Sequence, residues 1–454
     1  MRRVVIVGGG ITGLAAAWAL RQTSAPPEIM LLEKSNRLGG CIHTEYCDGF
    51  LMEHGPDIFL TRKPEANQLC RELGLPLQKT NQDRHGVYLR HGRELYRAPE
   101  GMSGLVPGKV WPLISSPLLS LRSKLRVLAE LLLPPKADDT DESVEHFFSR
   151  RFGKEAFSTL IEPLLGGLAG GDASRLSIKA LMPHVQRLES RYGSLLIGIS
   201  RGSTQKTQSS LKSLSGGLSS LVTALESVNA GSIRLASEVT EIKKTAKGWD
   251  VGIAEQESLQ ATDVILAVPA WSAARITDPV NPELKKLLLS VAYRSGTMVH
   301  LAYHRVAPSR ELDAYGHLVA RHETSSVAAC TWSSVKLDGR APAGGLLFRI
   351  YLRGIDLSDE SVLSQARTEM ALALGITAEP LFTRIHRFPA ALPQYTLGHA
   401  ERIKELRNKT SSCEGLFLAG NYLDGVGIPD CIRNGMHAAH CALDRHRENS
   451  SAAL

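Results

Sequence analysis

Nowhere in the 454 residues is there an unbroken apolar run of about 18, the length a bilayer-spanning helix requires, and this argues against a transmembrane segment. An Arg2-Arg3 pair precedes the first apolar stretch, but glycines interrupt that stretch almost at once, so it reads as the opening strand of the fold and no signal peptide is expected. The seven cysteines (Cys41, Cys47, Cys70, Cys330, Cys413, Cys431 and Cys441) are odd in number, scattered and without a CxxC pair. That pattern disfavours a disulfide framework or a cysteine metal site and points to reduced thiols in a cytoplasmic protein. Charge is likewise unconcentrated. The formal balance is +7, which suits an acidic small molecule or an anionic membrane surface but supplies no basic cluster on which to argue for nucleic acid. A chain of this length exceeds one hydrophobic core, so two or three domains are expected.

What is present at the N-terminus is specific. The apolar run Val4-Val5-Ile6-Val7 leads straight into Gly8-Gly9-Gly10-Ile11-Thr12-Gly13 and then into the helix-compatible Leu14 to Leu20. Strand, GxGxxG and helix in that order form a dinucleotide fingerprint, with the pyrophosphate on the helix N-terminus. A second apolar run, Ile29 to Leu32, ends in Glu33, about 20 residues beyond the last glycine, where a carboxylate binds ribose hydroxyls and disfavours the 2′-phosphate of NADP. Arg37-Leu38-Gly39-Gly40 then supplies an RxGG element carried by many flavoproteins, which moves the expectation from NAD to FAD.

Farther along, Gly49 to Ile58 reads as a strand entering a rigid Gly-Pro turn, Glu65 to Leu73 as a helix, and Val87 to Tyr96 as a hairpin about His91-Gly92. Met102 to Ser210 is helical in pattern. Within it, Leu118 to Leu133 interleaves leucines with Arg122, Lys124 and Arg126, as would a helix lying on a bilayer or one packed on its own core with its cations in solvent. Ser200 to Ser215 is polar and aperiodic and is expected to be a surface loop. Ile233-Arg234-Leu235, Glu238 to Ile242 and Asp263 to Pro269 read as strands returning to the nucleotide domain, and Ala270 to His399 as strands with one helix, Ser361 to Leu374. Gly415 to Asn421, the glycine-rich turn to Asp430 and a helix from Cys431 to about Arg445 repeat the strand, turn and helix-start pattern. A helix N-terminus there would favour negative charge on a reduced flavin. His437, His440 and Cys441 share that last helix but lack further ligands at zinc spacing, so no metal is expected.

The ordered set VVIVGGGITGLAAA, EK..RLGG, EHGPDIFL, IEPLLGGLAGGDASRLS, SLSGGLSSL, LPQYTLGHAERI and GNYLDGVGIPDCIRNG resembles the FAD-dependent protoporphyrinogen and coproporphyrinogen oxidases of haem biosynthesis, over nearly the whole chain. The first two elements occur across flavin amine oxidases; the last two and the IEPLLGG segment are much narrower. The resemblance implies a discontinuous Rossmann-like α/β FAD domain (1–76, 212–270 and 408–454), an α+β substrate domain (77–98 and 271–407) and a largely helical, membrane-touching insertion (99–211). It also implies the reaction: six-electron oxidation of a porphyrinogen, with molecular oxygen reoxidising the flavin and hydrogen peroxide released.

Carried over residue by residue, Gly8, Gly9, Gly10, Ile11, Thr12, Gly13, Glu33, Lys34, Gly40, the Gly55-Pro56-Asp57-Ile58 turn, Val239 and Val426-Gly427-Ile428 match the FAD positions of the family. Asp57 falls at the flavin edge facing substrate, either as a candidate base or as the cap of its own turn. Lys63, beside Arg62, matches a basic residue that some members direct to a propionate; two loop cations can equally be only solvated. No other general base stands out. Coproporphyrinogen III is slightly favoured over protoporphyrinogen IX, since the VGIPDCI turn looks closest to bacterial members acting on the former. A flavin amine oxidase, and a non-catalytic flavoprotein delivering porphyrin to a partner such as ferrochelatase, stay open, as does the homodimer that several members form.

Overall fold

In a computed structural model of the chain, the structure describes residues 2–99, 102–103, 106–107, 110–168, 171–202, 211–321, 323 and 325–451. The apolar run at the N-terminus forms a strand, Arg3–Val7, buried from Val4 onward, at the centre of a five-stranded sheet. On one side it pairs in parallel with Glu28–Leu32 and then Ile233–Arg234, on the other with Asp263–Leu266 and then Leu416–Leu418. Near-continuous Val, Ile and Leu in these strands is what a sheet covered on both faces demands. The first helix, Ile11–Arg21, and the C-terminal helix, Ile428–Ser451, pack against each other over one face. So close is this contact that a Cβ on Gly435 would overlap the Thr12 carbonyl oxygen.

The opposite face is covered by the antiparallel strands Val239–Thr245, Gly248–Ile253 and Leu259–Ala261 and by helices Ala270–Ile276, Pro282–Leu289 and His399–Ser411. Ala273, Leu284, Leu288, Ile403 and Leu406 share one buried cluster with Val5 and Val264. This corrects two expectations. The segment from Ala270 carries Ala270–Ile276, Pro282–Leu289 and the short Ser333–Lys336 besides Asp359–Leu374, and its first part, through Val291, packs in the buried cluster over the five-stranded sheet, which the chain meets again at His399–Ser411.

A seven-stranded sheet forms the second body, in the order Phe382–Gln394, Ala292–His304, Gly345–Arg353, Val327–Trp332, Gly316–Val319, Tyr88–His91 and Glu94–Arg97. The hairpin read about His91-Gly92 forms its edge. A third body, from Val110 to Gly202, is helical and has its own core of Val127, Phe147, Phe148, Phe152, Leu160 and Val185. Arg151 and Glu130, both fully buried, cross that core as an ion pair. Leu121–Leu128 is an α-helix continued by a tighter turn, Ala129–Leu132, and Leu121, Leu125, Leu128, Leu131 and Leu132 point outward with Trp111. The leucines are thus not the inner face of that helix. Of the expected loop at 200–215, residues 203–210 lie outside the described residues, and Leu211–Leu214 is a strand between Phe59–Leu60 and Leu77–Lys79. Polar side chains hid it, because backbone pairing on both edges supplies what apolar periodicity does not.

Candidate active site

Strand and helix of the fingerprint are separated only by Gly8, Gly9 and Gly10. Gly10 is the helix N-cap; it has no side chain to cap the first turn, and that turn, Ile11-Thr12-Gly13, contains no acidic residue. The positive end of the helix is thereby left without an internal anion. A Cβ on Gly13 would overlap the Gly8 carbonyl oxygen, whereas one on Gly10 would meet nothing within 4 Å. Gly13 is therefore required by packing, and Gly10 borders space of the kind a pyrophosphate fills. Glu33 stands beside this turn, its Oε2 accepting the Gly9 N–H at 2.7 Å and its Oε1 the Ser35 N–H at 2.9 Å. Gly39 donates its N–H to the Gly9 carbonyl at 2.9 Å, and Arg37 donates to the Gly40 carbonyl at 2.8 Å, so the RxGG loop is stitched onto the glycine turn. Lys34 stands 5.8 Å from the ring centroid of Trp271. An uncapped helix start, open space at Gly10 and a carboxylate beside them fit the ADP half of FAD.

Gly55 packs against the same loop so tightly that a Cβ would overlap the Cys41 carbonyl oxygen. Gly55-Pro56-Asp57-Ile58 thus leaves the nucleotide cradle with fixed direction. Asp57 is pinned from the seven-stranded sheet and the short helix Ser333–Lys336 beside it: Lys336 Nζ lies 2.7 Å from Oδ2 and Arg349 Nη1 3.3 Å from Oδ1. Burial alone would push this carboxyl pKa up, but the two cations outweigh burial and hold it far below the ordinary carboxylate range. With both oxygens engaged, Asp57 is a fixed anion locking the turn to the body built on the seven-stranded sheet, and the geometry does not support its use as a proton acceptor.

Lys63 also has a different partner from the one expected. Its Nζ lies 2.7 and 2.6 Å from the two oxygens of Asp430, which Arg433 also contacts at 2.8 Å. Asp430 accepts the Gly427 N–H at 3.2 Å in the first turn of the C-terminal helix. Lys63 therefore neutralises a buried anion just beyond the Val426-Gly427-Ile428 segment, in the first turn of the C-terminal helix, and is not a free loop cation. Arg62 is exposed and, with Arg187 and Lys63, faces His184, whose pKa is lowered first by burial and then by these three cations. Val239 is buried beside a register shift in its strand.

Tertiary structure brings in residues without a local signal. Lys336 and Arg349 lie hundreds of positions from Asp57 and sit in no glycine motif. Tyr395, within the PQY element, donates its hydroxyl to the Asn421 carbonyl at 2.6 Å and accepts the Gly425 N–H at 2.7 Å, so two of the narrow motifs prove to be one structure. His399 stacks on the Tyr395 ring at 4.0 Å. His437 and Cys441 contact each other at 3.6 Å. Among the described residues, the three metal-competent side chains that do converge are Glu45, His54 and His386, the first two from the ribbon Thr44–Cys47/Phe50–Glu53 and its end, the third from a distant strand of the seven-stranded sheet.

A family model described as flavin-containing amine oxidoreductase matches residues 11–443. The coproporphyrinogen III oxidase of Bacillus subtilis (strain 168) is 34% identical, with 97% of this chain and 98% of the relative covered. The protoporphyrinogen oxidase of Homo sapiens is 30% identical over 97% and 98% of the two chains. Among solved structures, one titled a putative protoporphyrinogen oxidase from Exiguobacterium superposes with a TM-score of 0.87 at 29% identity, covering 98% of this chain and 99% of the other. A putrescine oxidase superposes at 0.72 with 19% identity over 98% and 99%, a likeness of fold alone.

Proposed function

The chain belongs to the flavin-containing amine oxidoreductase family, and from that premise we propose that it is an FAD-dependent oxidase converting a porphyrinogen to the porphyrin in haem biosynthesis, with coproporphyrinogen III as the preferred substrate. The observation that carries the reading is the junction of the PQY element with the GNYLDGVGIPD turn through Tyr395, set beside a cradle that fits FAD. Full-length similarity to oxidases named for both porphyrinogens supports the reaction class. Preference for the tetrapropionate is supported by charge. Arg294 is half-buried, and burial followed by the neighbouring Arg321 guanidinium lowers its pKa, with Asp172 offsetting this only in part, a setting that an anionic ligand relieves. Arg62 and Arg187 add a second group of cations around His184.

FAD supplies the two-electron acceptor, and three such oxidations take six electrons and six protons from the macrocycle while three dioxygen molecules become hydrogen peroxide. The protein's own task is placement. Asp57, Lys336 and Arg349 fix the turn between cradle and substrate sheet, Tyr395 fixes the C-terminal turn, and the arginines hold propionates. In this reading the first and last segments of the chain form the nucleotide domain, the seven-stranded sheet carries substrate, and the helical body covers it.

No helix among the described residues is long and apolar enough to cross a membrane. The outward row Leu121, Leu125, Leu128 and Leu132, with Trp111, supports peripheral contact with a cytoplasmic membrane surface. The test of function is aerobic turnover of FAD-loaded protein on coproporphyrinogen III and protoporphyrinogen IX side by side, following porphyrin fluorescence and peroxide. Faster turnover of the first is expected. Equal or reversed rates would refute the preference, and no activity on either, with FAD bound, would refute the reaction and move the reading to a flavin amine oxidase.

A further inference from the structure

Strands Thr44–Cys47 and Phe50–Glu53 form an antiparallel ribbon in which Thr44 faces Glu53 and Glu45 faces Met52; the ladder continues through the His54 N–H to the His43 carbonyl at 2.9 Å. Because side chains alternate along a strand, His43, Glu45 and His54 share one face of this ribbon. In the seven-stranded sheet His386 is opposite Met298 and Arg384 is opposite His300, so these four also share a face. The two faces meet. His54 Nδ1 lies 3.1 Å from His386 Nδ1, and His54 Nε2 lies 3.0 Å from Glu45 Oε2. Ring centroids of His54 and His386 are 3.6 Å apart, with His43 at 4.6 Å and His300 at 5.6 Å from His54.

We propose that Glu45, His54 and His386 form a binding site for a divalent transition-metal ion of the zinc class. Each residue offers one ligand atom, and these atoms lie within 4.8 Å of one another. Zinc bonds of about 2.0–2.1 Å in tetrahedral geometry set ligand atoms roughly 3.3 Å apart, and two histidines with one carboxylate is an established zinc donor set that leaves a fourth position for water. The two Nδ1 atoms already stand near that spacing. Arg384 donates from Nε to Glu45 Oε1 at 2.8 Å and leaves Oε2 directed at the histidines, as an outer-shell group orients a ligating carboxylate. His43 and His300 pack around the ring of His54. The ion would join His54, directly before the Gly55-Pro56 turn, to the sheet carrying His386, and so would clamp the nucleotide and substrate bodies together.

The full-length FAD-loaded protein, freed of metal with a chelator and dialysed, is titrated calorimetrically with Zn²⁺, and its thermal transition is followed with and without one equivalent. One ion per chain is expected, with a raised transition temperature. His386→Ala and His54→Ala should weaken Zn²⁺ binding by more than the ~10–100-fold that loss of an outer-shell partner costs; Glu45→Gln, which keeps the side-chain volume, should weaken it at least ~10-fold. Retained flavin absorbance and circular dichroism establish that each variant is folded, and Glu45→Gln carries the test should His54→Ala fail to fold. His437→Ala, which breaks the contact with Cys441, should leave the affinity unchanged. Absence of stoichiometric Zn²⁺ binding, unchanged affinity in His386→Ala and Glu45→Gln, or loss confined to His437→Ala would overturn the site and leave the cluster a hydrogen-bond network.

Discussion

Replacing Asp57 by Asn keeps the shape of the turn and removes the one anion between Lys336 and Arg349. The three side chains are 14%, 9% and 5% exposed, so neither cation regains water when its partner is neutralised. Removing one member of such a buried pair costs about 3–5 kcal/mol, most of it from the charge left uncompensated. Lys336→Met alone leaves Asp57 with Arg349 at 3.3 Å and should cost less, about 1–3 kcal/mol, the desolvation left by one lost hydrogen bond. In the double variant one buried cation has been removed along with the anion, so its cost should fall short of the sum of the single costs by at least ~1 kcal/mol. Urea unfolding at saturating FAD, followed by far-ultraviolet circular dichroism and by flavin fluorescence, measures all four proteins. Both probes should move together, because the turn belongs at once to the cradle and to the sheet. Additive costs, or an Asp57→Asn variant within ~1 kcal/mol of the parent, would refute the buried triad. Because Asp57 is held ionised far below neutrality, the pH profile of kcat should keep its shape in Asp57→Asn; loss of an ionisation from that profile would restore the carboxylate as a base.

Gly10→Ala fills the open space at the helix start without touching protein, so the apoprotein should melt like the parent while FAD affinity falls at least ~100-fold, the pyrophosphate having lost its approach; Gly13→Ala, which overlaps the Gly8 carbonyl, should destabilise the apoprotein itself, and calorimetry with flavin titration separates the two. Lys63→Ala should lower bound FAD and kcat with little change in KM, because Lys63 contacts Asp430 and not an open pocket; a rise in KM alone would return it to substrate binding. His399 is buried, and burial above all lowers its pKa to about 4, while the unfolded chain protonates it near 6.5. The folded form binds fewer protons between those values, so its contribution is fully present above ~6.5 and is lost as pH falls towards 4, by up to about 3 kcal/mol; His399→Asn should flatten this part of the stability profile, and an unchanged slope would count against a neutral buried imidazole. Leu125→Glu with Leu132→Glu should abolish sedimentation with anionic liposomes at low salt, and parent protein that stays in the supernatant would refute the membrane contact.

The nucleotide cradle was legible in the chain because its chemistry is local. Strand, glycine turn and helix start occupy consecutive residues, and Glu33 and the RxGG loop follow within one crossover, so backbone geometry and spacing alone bring them into contact. The hairpin at His91-Gly92 and the buried strand at Asp263–Leu266 were legible for the same reason. By contrast, Leu211–Leu214 is a four-residue strand that follows a polar, aperiodic stretch and forms through pairing on both edges, and helices Ala270–Ile276 and Pro282–Leu289 belong to the core of a sheet whose other members lie far away in sequence. Roles of charged residues were the least legible. A carboxylate at Asp57 and a cation at Lys63 read as chemistry pointed at a substrate because their neutralising partners, Lys336, Arg349 and Asp430, arrive from other segments. The same holds for Glu45, His54 and His386. Sequence by itself determined where strand, glycine turn and helix start meet, through conformations that only glycine turns and helix termini supply; tertiary structure decided which ionisable groups are paired, since burial and pairing are properties of the packed neighbours and not of the residue.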